Sequence, residues 1–233
     1  MLLHNKLLAS LPAAEYKSLA PDLMEVPLIL GEVLCEPKEV LKWVYFPQQA
    51  AISLVSILEN GDTTEVGLVG NEGVLGYPVF LGGKSMIHRG IVQLAGSALR
   101  IEPEKLMHHF QQGGKLQQLL LLHTQALLTQ VSQTAACNRH HVIDKRLARW
   151  LLTARDCVLS NEFMLTQEFI ASMLGTRRAG ITEALGRLQQ AGMIQTQRGQ
   201  ITILNASALE SFACECYSTV CSERNRLLSP SPD

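Results

Sequence analysis

The residues with the clearest chemistry lie in the last third of the chain, where side chains suited to nucleic acid recur within one segment. Arginine can donate two parallel hydrogen bonds to guanine, glutamate can accept one from cytosine, and threonine or glutamine can pair with other base edges. Arginine at a hairpin tip suits the phosphate backbone. The residues in this set are Gln167, Thr176, Arg177, Arg178, Thr182, Glu183, Arg187 and Arg198. Their types and spacing favour contact with DNA.

Two short helices are predicted to hold these side chains. Thr166 is expected to cap a first helix, and Gly175 is expected to end it, because the position after a helix prefers positive φ. Thr176 is expected to cap a second helix from about residue 177 to residue 191. The buried face of that second helix is expected to be Ile181, Leu185 and Leu188. Two helices joined by a glycine turn predict a helix-turn-helix, whose second helix enters the major groove.

A two-stranded wing is predicted next, over residues 193–204, with Gln197, Arg198, Gly199 and Gln200 at its tip. The alternative is a helical hairpin with a few exposed arginines, because helix-turn-helix spacing is loose. The basic residue beside glycine at the tip favours the wing.

Composition is compatible with this interpretation. The chain has 233 residues, of which 47% are hydrophobic and 18% charged, as in a folded globular protein. Acidic residues outnumber basic ones up to residue 138, and the reverse holds beyond it. Polar residues interrupt the N-terminus early, so neither a signal peptide nor a membrane span is expected, and the cytoplasm is the predicted location. The Ser/Pro-rich tail, residues 229–233, is expected to be disordered.

The first half of the chain has a different texture. After a short helical start over residues 1–20, apolar runs from about Val26 to Ile101 are cut every eight to twelve residues by Gly, Pro or Asn. This pattern predicts an antiparallel sandwich or barrel. Asn60-Gly61-Asp62 predicts a hairpin turn, because Asn and Gly tolerate positive φ.

A long helix is predicted from Lys115 to Cys137, a stretch without Pro and without Gly. One face follows a 3-4 spacing and consists of Leu116, Leu119, Leu120, His123, Ala126, Leu127, Gln130 and Val131. Leu121, Leu122 and Leu128 widen the apolar surface. The helix is expected to pack on the barrel and also on its twin in a dimer, with Leu127 in the interface; the alternative is a core helix alone.

A break is expected at residues 138–141, followed by a helix over 142–157. One side of this helix is apolar and the other carries Lys145, Arg146, Arg149 and Arg155. This basic side is either a solvated face or a second set of phosphate contacts.

The chain resembles the Crp/Fnr superfamily of bacterial transcription regulators over nearly its whole length. The motifs are LTQEFIASMLGTRRAGITEALGRLQQAGMI, RGQITIL and, upstream, VYFPQQAAISLVSILENGDTTEVGLVGNEGVLG. The resemblance implies an α+β fold: a jelly-roll-like antiparallel β-roll of the cyclic-nucleotide-binding type (1–112), a long dimerisation helix (113–138) and a winged helix-turn-helix (139–228). It also implies a homodimer on palindromic double-stranded DNA, with RNA polymerase or another regulator as a further partner.

The family's residues carry over only in part. Its first recognition-helix arginine matches Arg178, but the acidic residue that often follows is Ala179 here, and the later basic contact falls at Glu183. The DNA sequence read by the best-known members is therefore not expected to transfer.

The effector site departs further from the family. Members that bind cyclic AMP have Gly-Glu for the ribose and Arg-Ser/Thr-Ala for the phosphate, where this chain has Gly76-Tyr77 and His88-Arg89-Gly90. Without those polar anchors cyclic AMP is expected to bind weakly or not at all. An Fnr-type iron–sulfur cluster needs N-terminal cysteines, and Cys35 is the single cysteine before residue 137. Haem is not expected either.

Some Crp-like regulators respond to cyclic di-GMP, which is the first candidate effector here. Its phosphates and guanines would need arginines and polar groups. The candidate effector residues are Tyr77, His88, Arg89, Arg100, Ser132 and Arg139. The alternative is that these are surface residues and that the protein has no small-molecule effector.

The remaining cysteines and histidines predict neither a metal site nor catalysis. Cys214 and Cys216 are one residue apart, a poor zinc spacing unless distant ligands join, so free thiols are expected and a redox or metal sensor is the alternative. Adjacent histidines, as in His140-His141, are poor chelators. A cupin-type enzyme needs a His-x-His pair in the barrel, whereas the barrel segment has His88 alone. No catalytic residues are predicted.

Overall fold

The computed structural model describes residues 3–228, and the predicted disordered tail lies outside them. The first part of this stretch forms two antiparallel sheets of a β-roll. The strands are β1 Met24–Leu28, β2 Val33–Cys35, β3 Val44–Pro47, β4 Ala51–Ile57, β5 Thr63–Val69, β6 Arg89–Leu94 and β7 Gly96–Ile101. One sheet has the order β1-β7-β3 and the other β2-β6-β4-β5. The predicted antiparallel β-roll is confirmed.

Alternation of side chains fills the space between these sheets. Phe46 on β3, Ile52 and Leu54 on β4, and Ile101 on β7 are fully buried in one hydrophobic core. The predicted hairpin joins β4 to β5, where Gly61 has a φ of +87° and the Asp62 amide donates to Asn60 Oδ1 at 3.0 Å. Positive φ is cheap for glycine, which explains this residue at the turn.

The helices before and after the strands complete the N-terminal half. They are α1 Lys6–Ala9, α2 Ala13–Leu19, α3 Pro103–Gln111 and α4 Gly114–His140, together with 3₁₀ helices at Ala20–Asp22 and Tyr77–Leu81. Helix α4 contains the predicted long helix, begins one residue earlier and continues through His140, so the break predicted at residues 138–141 is wrong over 138–140. The helix stops at His141 because only there does the backbone become extended.

Helix α4 has two apolar faces. Leu119, Leu120 and Leu127 are buried against the β-roll, so the expectation that Leu127 lies in a dimer interface is wrong. On the opposite face, Leu121 and Leu128 lie seven residues apart and are 45% and 64% exposed. The surface available to a second chain is therefore the Leu121–Leu128 face rather than the face of Leu127.

The C-terminal half is built on a second hydrophobic core, which also includes Ala51, Val55, Leu68 and Leu94 of the β-roll. Its elements are α5 Ile143–Val158, β8 Glu162–Met164, α6 Gln167–Met173, α7 Arg178–Gln190, β9 Ile194–Gln197, β10 Gln200–Ile203, α8 Ala206–Phe212 and α9 Cys216–Leu228. Trp150, Ile170, Ile181 and Leu185 are buried together in this core. The α+β fold expected from the sequence is confirmed, while its division at residues 112 and 138 stays a prediction. No helix among residues 3–228 combines the length and apolarity needed to cross a membrane.

A buried polar cluster connects the two halves. Glu65 on β5 accepts a hydrogen bond from Trp150 Nε1 on α5 at 3.0 Å, and its other oxygen lies 2.6 Å from Ser53 Oγ. Burial raises the pKa of Glu65 to about 7, against the opposing effects of Ser53, Arg149 and Trp150. The β-roll thus holds the C-terminal half through a carboxyl group that has little access to water.

Candidate nucleic-acid interface

Helix α6 and the turn after it form as the sequence predicts. Thr166 is the N-cap residue, and its hydroxyl accepts from the Phe169 amide at 3.2 Å. Gly175 has a φ of +55°, and the following Thr176 amide donates to Ala171 O at 2.9 Å. The turn is closed by backbone hydrogen bonds, so the direction of the next helix is fixed.

Helix α7 begins at Arg178, one residue later than predicted, and its N-cap is Arg177 rather than Thr176. Ile181, Leu185 and Leu188 are buried, as expected. Burial of that face leaves Arg178, Thr182 and Glu183 exposed on the other side of the helix. These side chains therefore share one exposed face of α7, the face that the sequence predicts to enter a major groove.

Two of the predicted contact residues hydrogen-bond to each other. Thr182 Oγ1 on α7 lies 2.6 Å from Gln167 Oε1 on α6 and 3.1 Å from Arg178 O. The pair ties the first turn of α6 to α7, and the Gln167 amide nitrogen is left for an outside acceptor. The hydrogen bond orients the two helices, and the Gln167 nitrogen is a donor available to DNA.

Arg187 forms an ion pair within the protein. Its Nε and a terminal nitrogen donate to the two carboxylate oxygens of Asp144 on α5, at 2.6 and 2.7 Å, and Glu183 lies 3.7 Å away. The hydrogen bonds to Asp144 raise the pKa of Arg187. Arg187 thus joins α7 to α5, and a phosphate would have to compete with a bidentate carboxylate.

The wing is present at the predicted position. β9 and β10 pair through Gln197 and Gln200, and the turn between them is Arg198-Gly199, with φ values of +49° and +83°. A two-residue turn with both φ values positive matches the twist of a hairpin but favours Asn or Gly at its first position. The strained conformation places the Arg198 side chain at the exposed tip.

The sequence did not predict the third strand of this sheet. β8 pairs with β10 through Phe163 and Ile201, giving the order β8-β10-β9. The strand has three residues, too few to establish an alternating pattern.

Three arginines of this surface are free of carboxylate partners. Within residues 3–228 no ion pair involves Arg177, Arg178 or Arg198, and all three are exposed. They lie at the start of α7 and at the wing tip, the two places where a winged helix meets a duplex. Their charges are available to a polyanion.

The basic side of α5 is a different case. Lys145 donates to Phe212 O, Arg146 donates to Leu174 O at the end of α6, Arg149 is buried, and Arg155 pairs with Asp156. The alternative of a second phosphate-binding face is therefore not supported. Lys145 and Arg146 instead connect α5 to α8 and to the end of α6.

The β4–β5 hairpin reaches the helix-turn-helix. Thr63 Oγ1 lies 2.6 Å from Ser172 Oγ on α6, and the Thr64 side chain covers Gly175. Beside this contact an open groove of about 920 Å³ is lined by Asp62, Thr176, Arg177 and Gly180, among others. The β-roll can therefore influence the start of α7 directly.

The predicted effector residues are not gathered into one site. Arg89 on β6 pairs with Glu36 at 2.9 Å, whereas Arg100 on β7, in the other sheet, lies over the Trp43 ring at 4.0 Å. His88 is half-buried, burial lowers its pKa, and its Nδ1 has no hydrogen-bond partner among residues 3–228. Tyr77 opens the 3₁₀ helix Tyr77–Leu81.

The other two predicted effector residues lie elsewhere. Ser132 and Arg139 are exposed on the outward side of α4. A ligand touching all six residues would need rearrangement or a second chain.

Comparison with known proteins agrees with this architecture. Residues 145–212 match the family of Crp-like helix-turn-helix domains. No curated protein sequence matches the chain. Among solved structures, FixK2 from Bradyrhizobium japonicum is similar with a TM-score of 0.69 and 17% identity, over 82% of this chain and 98% of that one.

Two further structures are similar. A CRP-family transcriptional regulator from Thermus thermophilus has a TM-score of 0.67 and 18% identity, over 81% of this chain and 96% of that one. CLP from Xanthomonas campestris, described as a cyclic di-GMP-responsive global regulator, has a TM-score of 0.61 and 11% identity, over 82% and 99%. At these identities the likeness establishes a shared fold.

Proposed function

From its Crp-like helix-turn-helix domain and its Crp/Fnr fold, we infer that this chain is a DNA-binding transcription regulator of the Crp/Fnr type. The observation that carries the proposal is the set of free arginines, Arg178 at the start of α7 and Arg198 at the wing tip. Arg178 is placed to read a base edge, and Arg198 to contact phosphate. The protein acts in the cytoplasm and is not an enzyme.

The proposal includes a homodimer formed through α4. The exposed residues Leu121, Leu128 and Ala135 follow a spacing of seven, as in a helix that packs on a parallel twin. Two recognition helices related by a twofold axis would read a palindromic site, with half-sites about one helical turn apart. RNA polymerase or another regulator would be a further partner of the DNA-bound dimer.

The dimer can be tested by substitution on the exposed face. Leu128→Glu should yield monomers in sedimentation velocity, because two charges would meet in an apolar interface, and DNA affinity should fall with dimerisation. Glu168→Gln, an exposed change on α6, serves as the control. A Leu128→Glu protein that stays dimeric would contradict this interface.

The proposed effector is not cyclic AMP. Tyr77 occupies the position where the family has a carboxylate for the ribose, and Arg89 is already paired with Glu36. Cyclic di-GMP is the first candidate, supported by the responsive regulator among the structural neighbours. Its phosphates would have to replace Glu36 as the partner of Arg89. The alternative is control by a partner protein without a small ligand.

Calorimetry with both nucleotides separates these options. Cyclic AMP should bind weakly or not at all, and a micromolar or tighter dissociation constant would contradict this. Cyclic di-GMP should bind, and Arg89→Ala or Arg100→Ala should weaken it, with Arg226→Ala as the matched control. No binding of cyclic di-GMP would leave the partner protein as the candidate regulator.

The central claim is tested by selecting duplexes from a random pool with the wild-type protein. Enriched sequences should be palindromic, and fluorescence anisotropy should show tighter binding to them than to scrambled duplexes. A protein that binds neither selected nor scrambled DNA would overturn the proposal.

A further inference from the structure

Four side chains with metal-binding atoms converge where the long helix ends. Cys137 lies in the last turn of α4 and His141 is its C-cap residue, so the two share one helical face. Cys214 and Cys216 come from the connection between α8 and the start of α9. Cys137 Sγ lies 3.5 Å from Cys214 Sγ, and Cys216 Sγ lies 3.5 Å from His141 Nδ1.

The separations fit a single tetrahedral ion. The four donor atoms lie within 4.8 Å of one another. Zinc bound at about 2.3 Å to sulfur and about 2.0 Å to nitrogen places tetrahedral ligand atoms roughly 3.5–3.8 Å apart. Three cysteines and one histidine are a common ligand set for closed, structural zinc sites. An iron–sulfur cluster would spread its cysteine sulfurs over several irons, and hence farther apart.

The surroundings orient the histidine for this role. Glu215 Oε1 lies 3.4 Å from His141 Nε2, so a proton on Nε2 leaves the lone pair of Nδ1 directed at the cysteines. A carboxylate behind a ligating histidine is the usual outer partner at zinc sites. Gln133 Nε2 donates to Cys216 Sγ at 3.2 Å, which adds an outer hydrogen bond to a sulfur.

Burial and charge also favour an ion. Cys137, Cys214 and Cys216 are at most 6% exposed and form a buried group separate from both hydrophobic cores. Three thiolates and one Zn²⁺ leave a net charge of −1. Arg149, itself buried, acts on Cys137 through its charge, and its Nε has no hydrogen-bond partner within residues 3–228. The arginine would balance that charge.

We propose that Cys137, His141, Cys214 and Cys216 bind one Zn²⁺ per chain and that the ion fixes the start of α9 to the end of α4. The sequence predicted free thiols, because Cys214-x-Cys216 is a poor zinc motif by itself. The distant ligands that this spacing requires are supplied by Cys137 and by His141, which binds without its neighbour His140. The site lies at the joint between the long helix and the DNA-binding half.

The first test measures metal in the full-length, untagged protein purified without chelators. Elemental analysis should give one zinc per chain. After removal of the metal under reducing conditions, Co²⁺ should produce the visible bands of a tetrahedral site together with sulfur-to-cobalt charge transfer, and Zn²⁺ should abolish both. This test needs only wild-type protein, so its result does not depend on how a variant folds.

Variants then assign the ligands. Cys214→Ser and Cys216→Ser should lose the zinc and the charge-transfer band, whereas Cys221→Ser, another C-terminal cysteine on α9, should keep both. Glu215→Gln should weaken Co²⁺ binding by about 10–100-fold without abolishing it. A metal-free protein that gives no tetrahedral Co²⁺ spectrum would overturn the proposal. Iron with acid-labile sulfide, or a Cys137–Cys214 disulfide in anaerobically purified protein, would overturn it equally.

Discussion

The arginines of the proposed DNA-binding surface and those of the β-roll differ in what already surrounds them. Arg178 and Arg198 are exposed and take part in no ion pair within residues 3–228. In the β-roll, Arg89 is paired with Glu36 and Arg100 is stacked on Trp43. A ligand that binds a free arginine displaces only water. A ligand that binds a paired arginine must also displace the group already bound to that arginine. Position alone therefore does not identify a binding arginine.

Glu65 extends the comparison from exposed and paired charges to a fully buried ionisable group. Its substitution has the largest expected effect on stability. Its pKa is about 7 in the folded chain and near 4.5 when unfolded, so the folded state retains a proton over that interval. Stability from this group must then fall as pH rises from about 4.5 to about 7, by roughly 3 kcal/mol in total. Glu65→Gln, which stays neutral, should remove the loss and be the more stable form above pH 7.

Urea unfolding at several pH values measures this difference. Wild type alone is a poor reporter, because burial lowers the pKa of His123 to about 4 and gives a slope of opposite sign in the same range. The free energy of unfolding of Glu65→Gln minus that of wild type isolates Glu65. The exposed Glu59→Gln, in the β4–β5 turn, is the matched control. A pH-independent difference for Glu65→Gln would show that the Glu65 carboxyl ionises normally.

Arg178→Ala tests the exposed side of the comparison. Removal of a bidentate hydrogen bond to a base should reduce affinity for a selected duplex by about 1–3 kcal/mol and relax preference at one position of each half-site. Affinity for scrambled DNA should change much less. Arg226→Ala, on α9 and paired with Glu223, is the matched control. Equal reductions on both duplexes would make Arg178 a phosphate contact.

Arg198→Asn should have a smaller and more uniform effect. Asn accepts the positive φ that Arg198 adopts at +49°, so the turn should survive and the melting temperature should not fall. Removal of the charge should lower the affinity for selected and scrambled duplexes alike. It should also flatten the slope of log K against log salt by about one for each phosphate that the side chain neutralises. Anisotropy titrations at several salt concentrations measure the slope, and an unchanged slope would remove Arg198 from the interface.

The helix-turn-helix could be predicted because its determinants are local. Thr166 as a cap, Gly175 at positive φ and the buried triplet of α7 are each encoded within a few residues. Periodicity likewise predicted the long helix and the texture of the β-roll. It placed Leu127 on the apolar stripe of α4 but could not tell whether a barrel or a second chain covers that stripe.

What could not be predicted depends on contacts between segments far apart in sequence. Whether Arg187 meets a phosphate or Asp144 depends on how α5 packs beside α7. Cys137 and Cys214 are 77 residues apart, and no local sequence pattern predicts that their sulfurs are in contact. The sequence gives the chemistry of each side chain, but tertiary packing decides which groups it contacts.

Arg187→Ala should have the smallest effect and separates a paired arginine from a free one within the same domain. Because Arg187 is held by Asp144, its removal should leave the salt slope of DNA binding unchanged, unlike the removal of Arg198. The melting temperature should fall slightly, since an exposed pair contributes little. Asp144→Ala should produce the same small fall, and the double variant should add little, because either change already breaks the pair. A salt slope that drops in Arg187→Ala would mean that DNA displaces Asp144, and the pair would then be a contact that exchanges on binding.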